Sequence, residues 1–169
     1  MIKRTIALQA GSSPVDTIYF SSTLNRGMRN QLESLLYFNS SQARVEPGII
    51  DSVQTYGPPE IVELGDRLGV NVRNLAEVQC LFAFYELCEY KRLIGVVIYS
   101  RVEQHTICVL HVAVHADFEK FGVHGDKNVM LRLIGKLLES ARQIKGVESL
   151  VFMYGNGALK GLPITTRIV

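Results

Sequence analysis

The strongest alternation of apolar and polar positions along the chain lies near its C-terminal end. Val129, Leu133, Leu137 and Ala141 recur at four-residue steps beside a second row of Met130, Ile134 and Leu138. That spacing predicts a helix with one broad buried face. Ahead of it stand an apolar strand, Leu110 to Val114, and a polar loop, His115 to Asn128, that carries Gly122 and Gly125. A strand that runs through such a loop into a helix N-terminus gathers backbone N–H groups without intrahelical partners, and these attract anions.

The rest of the pattern divides at Val78. Downstream of it, Gln79 to Leu87, Leu93 to Val102 and Thr106 to His115 are rich in Val, Ile, Phe and Tyr. Their short polar joins, Cys88 to Arg92 and Glu103 to His105, predict consecutive antiparallel hairpins. A further strand is expected over Ser149 to Tyr154. Apolar residues on both faces of the meander imply that both faces are covered.

Upstream, Thr5 to Ala10 reads as a first strand, closed by Gly11-Ser12-Ser13-Pro14, with Asp16 to Phe20 as its extension or as an entry loop. Ser21, Ser22 and Thr23 offer capping hydroxyls to a helix with Leu24, Met28, Leu32, Leu35 and Leu36 on one face, ending near Asn39. Gln42 to Pro59 reads as mainly irregular and as a candidate mobile flap. Pro59 would open a helix through Leu68, with Ile61, Leu64 and Leu68 inward and Gly69 as its stop.

Composition narrows the classes. A chain of 169 residues with 47% hydrophobic content fits one domain with one core. Its net charge of +2 comes from 18 basic and 16 acidic residues in no long runs, which gives no footprint for nucleic acid. Cys80, Cys88 and Cys108 lack metal or redox spacing and read as reduced thiols, Cys108 as an inert core residue. The short apolar part of the N-terminus does not suit a secretory signal, and no segment sustains about 18 apolar residues. These features lead us to expect a soluble cytoplasmic protein with no membrane partner.

The segment Ala113-Val114-His115-Ala116-Asp117-Phe118-Glu119-Lys120-Phe121-Gly122, followed by the Val129-Met130-Leu131 helix and the strand Val147 to Tyr154, resembles the core of the GNAT superfamily of acyl-CoA-dependent N-acyltransferases. The likeness covers roughly the second half of the chain. It implies an α+β domain with a mostly antiparallel central sheet flanked by helices. It also implies acetyl-CoA or another acyl-CoA as co-substrate, and a small-molecule or peptide amine as acceptor.

In that family the loop after the strand holds the CoA pyrophosphate. By resemblance, Lys120, Gly122, Val123, His124, Gly125 and Lys127 would do so here. Pantetheine would lie between the strands holding Leu110 to Val114 and Leu150 to Tyr154. The backbone N–H groups near Val112 and Val114 would then polarise the thioester carbonyl.

Two registers of the family's (Arg/Gln)-x-x-Gly-x-(Gly/Ala) motif are open: alignment on Gly122 places Glu119 at the Arg/Gln position and His124 at the second Gly/Ala position, and alignment on Gly125 places Lys120 at the Arg/Gln position and Val123 at the first glycine. A second expectation follows from these residues and from the short segment after Tyr154: a GNAT-like module that binds or assembles without acyl transfer. An abbreviated C-terminal arm would leave a sheet edge for a second copy of the chain to cover, giving a homodimer.

His111 is the candidate general base, because an imidazole titrates near neutrality; the alternative is a hydrogen-bonded histidine of the sheet. Tyr154 at a strand end is a candidate general acid or, alternatively, a half-buried strand terminus. His105, His111, His115 and His124 cluster in sequence with Asp117 and Asp126. A straight strand nonetheless sets His111 and His115 about 13 Å apart, so no metal site is expected.

Overall fold

The computed structural model describes residues 16–39, 42, 46–153 and 162–164. Among these, the expected meander and crossover are both present. In chain order the elements are β1 (Thr17–Ser21), β2 (Leu24–Asn25), α1 (Arg29–Tyr37), α2 (Glu46–Tyr56), β3 (Pro59–Leu64), β4 (Arg67–Val72), β5 (Gln79–Leu87), β6 (Tyr90–Glu103), β7 (Thr106–Val114), α3 (Val129–Arg142), β8 (Ser149–Phe152) and β9 (Leu162–Pro163). The fold is α+β. A six-stranded sheet in the order β1-β5-β6-β7-β8-β9 is antiparallel except at β7 and β8, and a three-stranded sheet has the order β2-β4-β3.

The parallel pair exists because α3 carries the chain back across the sheet before β8 begins. Val129, Leu133, Leu137 and Ala141 are the buried row of that helix, as their spacing predicts. They pack with Leu81, Ala83, Ile94, Val97, Ile107, Val109, Val112 and Val114 on one face of the large sheet. Gly95 of β6 lets the helix come close, since a Cβ there would lie 2.9 Å from Leu133 Cδ1 and 3.3 Å from Ala113 O. The opposite face buries Leu32, Leu35 and Leu36 of α1 against Phe82, Phe84, Val96, Ile98 and Leu110. Gln31 fastens α1 to the sheet by accepting from the Leu93 N–H at 2.8 Å.

The pairing shifts register beside Leu110. Ile98 faces His111 while Tyr99 faces Val109, so Leu110 is an extra residue in β7. Such a bulge reverses which side chains face which side of a strand.

Three expectations upstream of Val78 are corrected. The segment from Pro59 to Leu68 is no helix: β3 and β4 form a hairpin in which Leu64 pairs with Arg67 across Gly65-Asp66. Gly65 has φ +69°, which suits the first central position of a two-residue turn, and adjacent Ile61-Val62 favour extended backbone. Pro59 is tolerated because β3 is an edge strand.

The stretch from Gln42 to Pro59 is not mainly irregular, since it holds α2. Pro47 lies in the first turn of that helix and Gly57, at φ +95°, follows its end, an arrangement that helices favour. The helix expected from Leu24 starts only at Arg29, because Leu24 and Asn25 pair with β4 and Arg26–Met28 form a 3₁₀ turn capped by Asn25 Oδ1. The strand expected over Thr5 to Ala10 lies outside the described residues. No helix among the described residues is long and apolar enough to cross a membrane.

Candidate functional site

Among the described residues β8 pairs with β7 from Thr106 to Val109, and Met153 N–H donates to Val109 O at 3.1 Å. β7 continues to Val114 and pairs there with β6. His115 N–H donates to Ile94 O at 2.8 Å, so by strand alternation the peptide groups of Val112 and Val114 point away from β6, toward the β8 side.

A cavity of about 500 Å³ opens at that place. Val112, Ala113, Val114, Phe118, Val129 and Met130 supply its apolar wall, and Asn39, Gln42, Glu119 and Lys120 its polar groups. Asn39 Nδ2 donates to Val114 O at 2.8 Å and ties the end of α1 to the strand. The start of α3 borders the same space: Asn128, Val129, Met130 and Leu131 all line it. Asn128 takes the left-handed conformation, φ 51°, and its side chain makes no cap bond to the helix. It donates instead to Asp126 O at 2.9 Å. The helix start therefore receives no side-chain acceptor from its own N-cap residue.

The loop before α3 closes mostly on itself. Gly122 N–H donates to Glu119 O at 2.8 Å, His124 N–H to Asp117 O at 2.7 Å, Gly125 N–H to Gly122 O at 3.1 Å and Lys127 N–H to His124 O at 3.1 Å. Its glycines serve this closure: a Cβ on Gly122 would lie 2.2 Å from Ala116 O, and one on Gly125 2.6 Å from Glu119 O. Val123 is 83% exposed. The His124 ring packs on Phe118 and Tyr85, at centroid distances of 4.9 and 5.7 Å. Lys127 is held by Asp16, and their shared hydrogen bond raises the lysine pKa and lowers that of the carboxyl. Lys120 alone of the expected basic residues lines the cavity, with its ammonium 5.5 Å from the Phe121 ring centre.

His111 lies at the edge of a second, smaller cavity of about 280 Å³, on the α1 and α2 side of β7. It is 6% exposed, and burial pushes its imidazole down to about 4. Gln42 Nε2 stands 3.0 Å from His111 Nε2. An amide nitrogen only donates, so Nε2 accepts and the proton sits on Nδ1. Gln42 borders the larger cavity while bonding to a wall residue of the smaller one, and so stands between the two.

At the mouth of β7, Arg92 bonds both the Asp117 carboxylate, at 3.2 Å, and His115 Nε2. Desolvation first, and the Arg92 guanidinium second, lower the His115 pKa. Burial raises the Cys108 thiol to about 11, which keeps it protonated and poorly nucleophilic at neutral pH.

The structure thus brings Val112, Val114, Lys120 and the α3 start around one cavity and puts His111 beside a second. Val123, His124 and Lys127 point elsewhere, and Tyr154 lies outside the described residues. Gln42, Asn39 and Ser52 were not singled out from sequence. Their roles come from contacts to β7 across at least 58 positions, and no local pattern announces these. Comparison with protein-family models, curated proteins and solved structures finds no match.

Proposed function

We propose that this chain is an acyl-CoA-dependent N-acyltransferase of the GNAT type, with the thioester arm in the cavity between the end of β7 and the start of α3. That cavity carries the proposal. Val112, Ala113 and Val114 bound it on one side and Asn128 to Leu131 on the other, with Asn39, Gln42 and Lys120 as polar groups. A slender chain of methylenes broken by amides, such as pantetheine, suits apolar walls with a few polar groups among them. A volume of about 500 Å³ falls in the common range of about 300–1,000 Å³ for small-ligand sites.

The phosphates would lie outward, near Lys120 and the first turn of α3. The helix dipole there contributes about 0.3–1 kcal/mol. In the transfer itself the amine nitrogen attacks the thioester carbonyl carbon, the C–S bond breaks with its electron pair going to sulfur, and the proton that the nitrogen sheds is taken up by the departing thiolate. His111 stays neutral, its Nε2 accepting from Gln42.

Thermal unfolding with acetyl-CoA, free CoA and ATP tests the proposal. A specific ligand at about 100 times its Kd adds about 2.7 kcal/mol to stability. At this size that is a shift of several degrees. Lys120→Glu should remove most of the CoA-specific shift while leaving the unliganded midpoint in place. Equal shifts with ATP, or none with either CoA species, refute the proposal.

One set of observations favours a second reading, a binding module of the same fold without transfer. Seven N–H groups of the loop are spent on its own carbonyls, and Lys127 is committed to Asp16. A chain used that way gives no CoA-specific shift.

A further inference from the structure

The smaller cavity, bounded by α1, α2, β3, β4, β6 and β7, presents an unusual mixture of groups. Leu36, Ile49, Val53, Val72, Ile98 and Leu110 make it apolar, and no Asp, Glu, Lys or Arg among the described residues lines it. Its polar side chains among the described residues are Tyr37, Ser52 and His111. Ser52 Oγ donates its proton to Leu110 O at 3.3 Å, and Tyr37 Oη donates to Pro59 O at 2.8 Å. Each hydroxyl has given its single hydrogen to a backbone carbonyl, and Tyr37 Oη also accepts from the Ile61 N–H, so what remains toward the cavity is acceptor lone pairs, those of Ser52 foremost. A ligand that fits must be largely apolar and must bring N–H or O–H donors.

It must also be uncharged. An ammonium moved into a space with no carboxylate among the described residues loses its hydration and finds no counter-ion there. The His111 imidazole, held neutral by the same burial and already accepting from Gln42, is too weak a base to take a proton from an alkylammonium. The volume, about 280 Å³, is at the lower end of the range of about 300–1,000 Å³ usual for ligand pockets, which suits one ring rather than two.

We propose that this cavity is the acceptor subsite and takes a compact aromatic amine, uncharged at neutral pH, whose N–H groups donate to Ser52 and Tyr37. This rests on the acyl-CoA reading of the neighbouring cavity. The two spaces adjoin at Gln42, so an amine against His111 needs only that side chain to swing aside to face the thioester. An arylamine reaches the reaction with its lone pair already available. Its nitrogen bonds to the acyl carbon and the C–S bond breaks. The nitrogen then sheds one proton, which the departing thiolate can take up, so the step requires no strong protein base.

The test uses the full chain without CoA and follows binding of aniline, benzylamine and spermidine by saturation-transfer NMR at pH about 7.5. Aniline and benzylamine differ by one methylene and by charge. Aniline should bind at least about tenfold more tightly than benzylamine, a margin of about 1.4 kcal/mol, and spermidine should not compete. Ile49→Trp, which fills the cavity from a half-exposed position, should abolish aniline binding. Val53→Asp, which supplies the missing carboxylate, should reverse the order in favour of benzylamine.

Tighter binding of benzylamine or spermidine to the unsubstituted protein overturns the proposal, as does aniline binding that survives Ile49→Trp. The CoA shift is read separately. A CoA-specific shift without aniline binding overturns only this assignment of the acceptor. Aniline binding without any CoA shift overturns the acyl-transfer reading, and the acceptor role falls with it.

Discussion

His111 should make the stability of this fold pH-dependent in a way that one substitution can isolate. In the folded chain the imidazole is neutral with a pKa near 4, against 6.5 when free. The unfolded chain therefore binds a proton that the folded chain refuses between those values. Stability is full above about pH 6.5 and falls as the pH drops toward about 4. Fully developed, the loss is about 3 kcal/mol, at about 1.36 kcal/mol per pKa unit. At pH 5 it is about 2 kcal/mol, or about 4–8 °C in Tm for a domain of this size. The carboxylates also titrate there, so the informative quantity is the difference between the unsubstituted protein and His111→Gln, which keeps an acceptor for Gln42 but has no proton to gain. Urea unfolding from pH 7.5 to 4.5 should show the two curves converging toward acid by about that amount. Curves separated by a constant offset would mean that the imidazole titrates normally when folded, and would refute its burial as a neutral group.

Other substitutions test the packing and the loop. Gly95→Ala should destabilise by about 1–3 kcal/mol, because its new methyl meets fully buried Leu133. Gly69→Ala meets Leu64 at the same 2.9 Å, but Leu64 is exposed and can swing away, so chemical denaturation should show little change there. Leu133→Ala should cost about 2–5 kcal/mol by the same assay. Gly122→Val should break the loop by collision with Ala116 O and Asp117, with or without ligand, which amide exchange at Gly125 and Lys127 would report. Equal exchange in both proteins would count against the loop geometry described above.

What the sequence made legible followed from regular spacing. Val129, Leu133, Leu137 and Ala141 announce α3 because a helix repeats at nearly four residues, and β5 to β7 announce themselves by β-branched and aromatic runs. The errors upstream arose where two periods fit the same apolar residues. Ile61, Leu64 and Leu68 satisfy a helical stripe, yet Ile61 and Leu68 also fit paired strands once Gly65-Asp66 is taken as the turn. α2 carried its Pro47 and Gly57 signals openly, but few apolar positions between them outweighed its glycine and proline content. At the site, β7 and the loop were legible as a unit. Their partners Asn39, Gln42 and Ser52 were not, because a hydrogen bond between distant segments leaves no trace in the spacing of either.

The extra residue in β7 decides what the two cavities contain. Ile107 and Val109 face α3, and in an unbroken strand His111 and Ala113 would follow them to that side by two-residue alternation. That would drive an imidazole into the core beneath α3 and turn Val112 and Val114 toward α1. Because Leu110 is unpaired in the register, Leu110 and His111 instead face the same small cavity, and Val112 and Val114 return to the α3 side. The apolar strand end near the start of α3 and the imidazole beside Gln42 are thus two consequences of one bulge. Deleting Leu110 should remove the bulge without turning any other side chain: His111 takes the place of Leu110 on the α1 side, and Val112 and Val114 keep facing α3. The variant should lose about 2–5 kcal/mol with the buried leucine side chain, while an NMR titration should still find the His111 imidazole well below its free value. A His111 that titrates as a free imidazole in the folded deletion variant would show that the bulge does not set the side-chain order of β7.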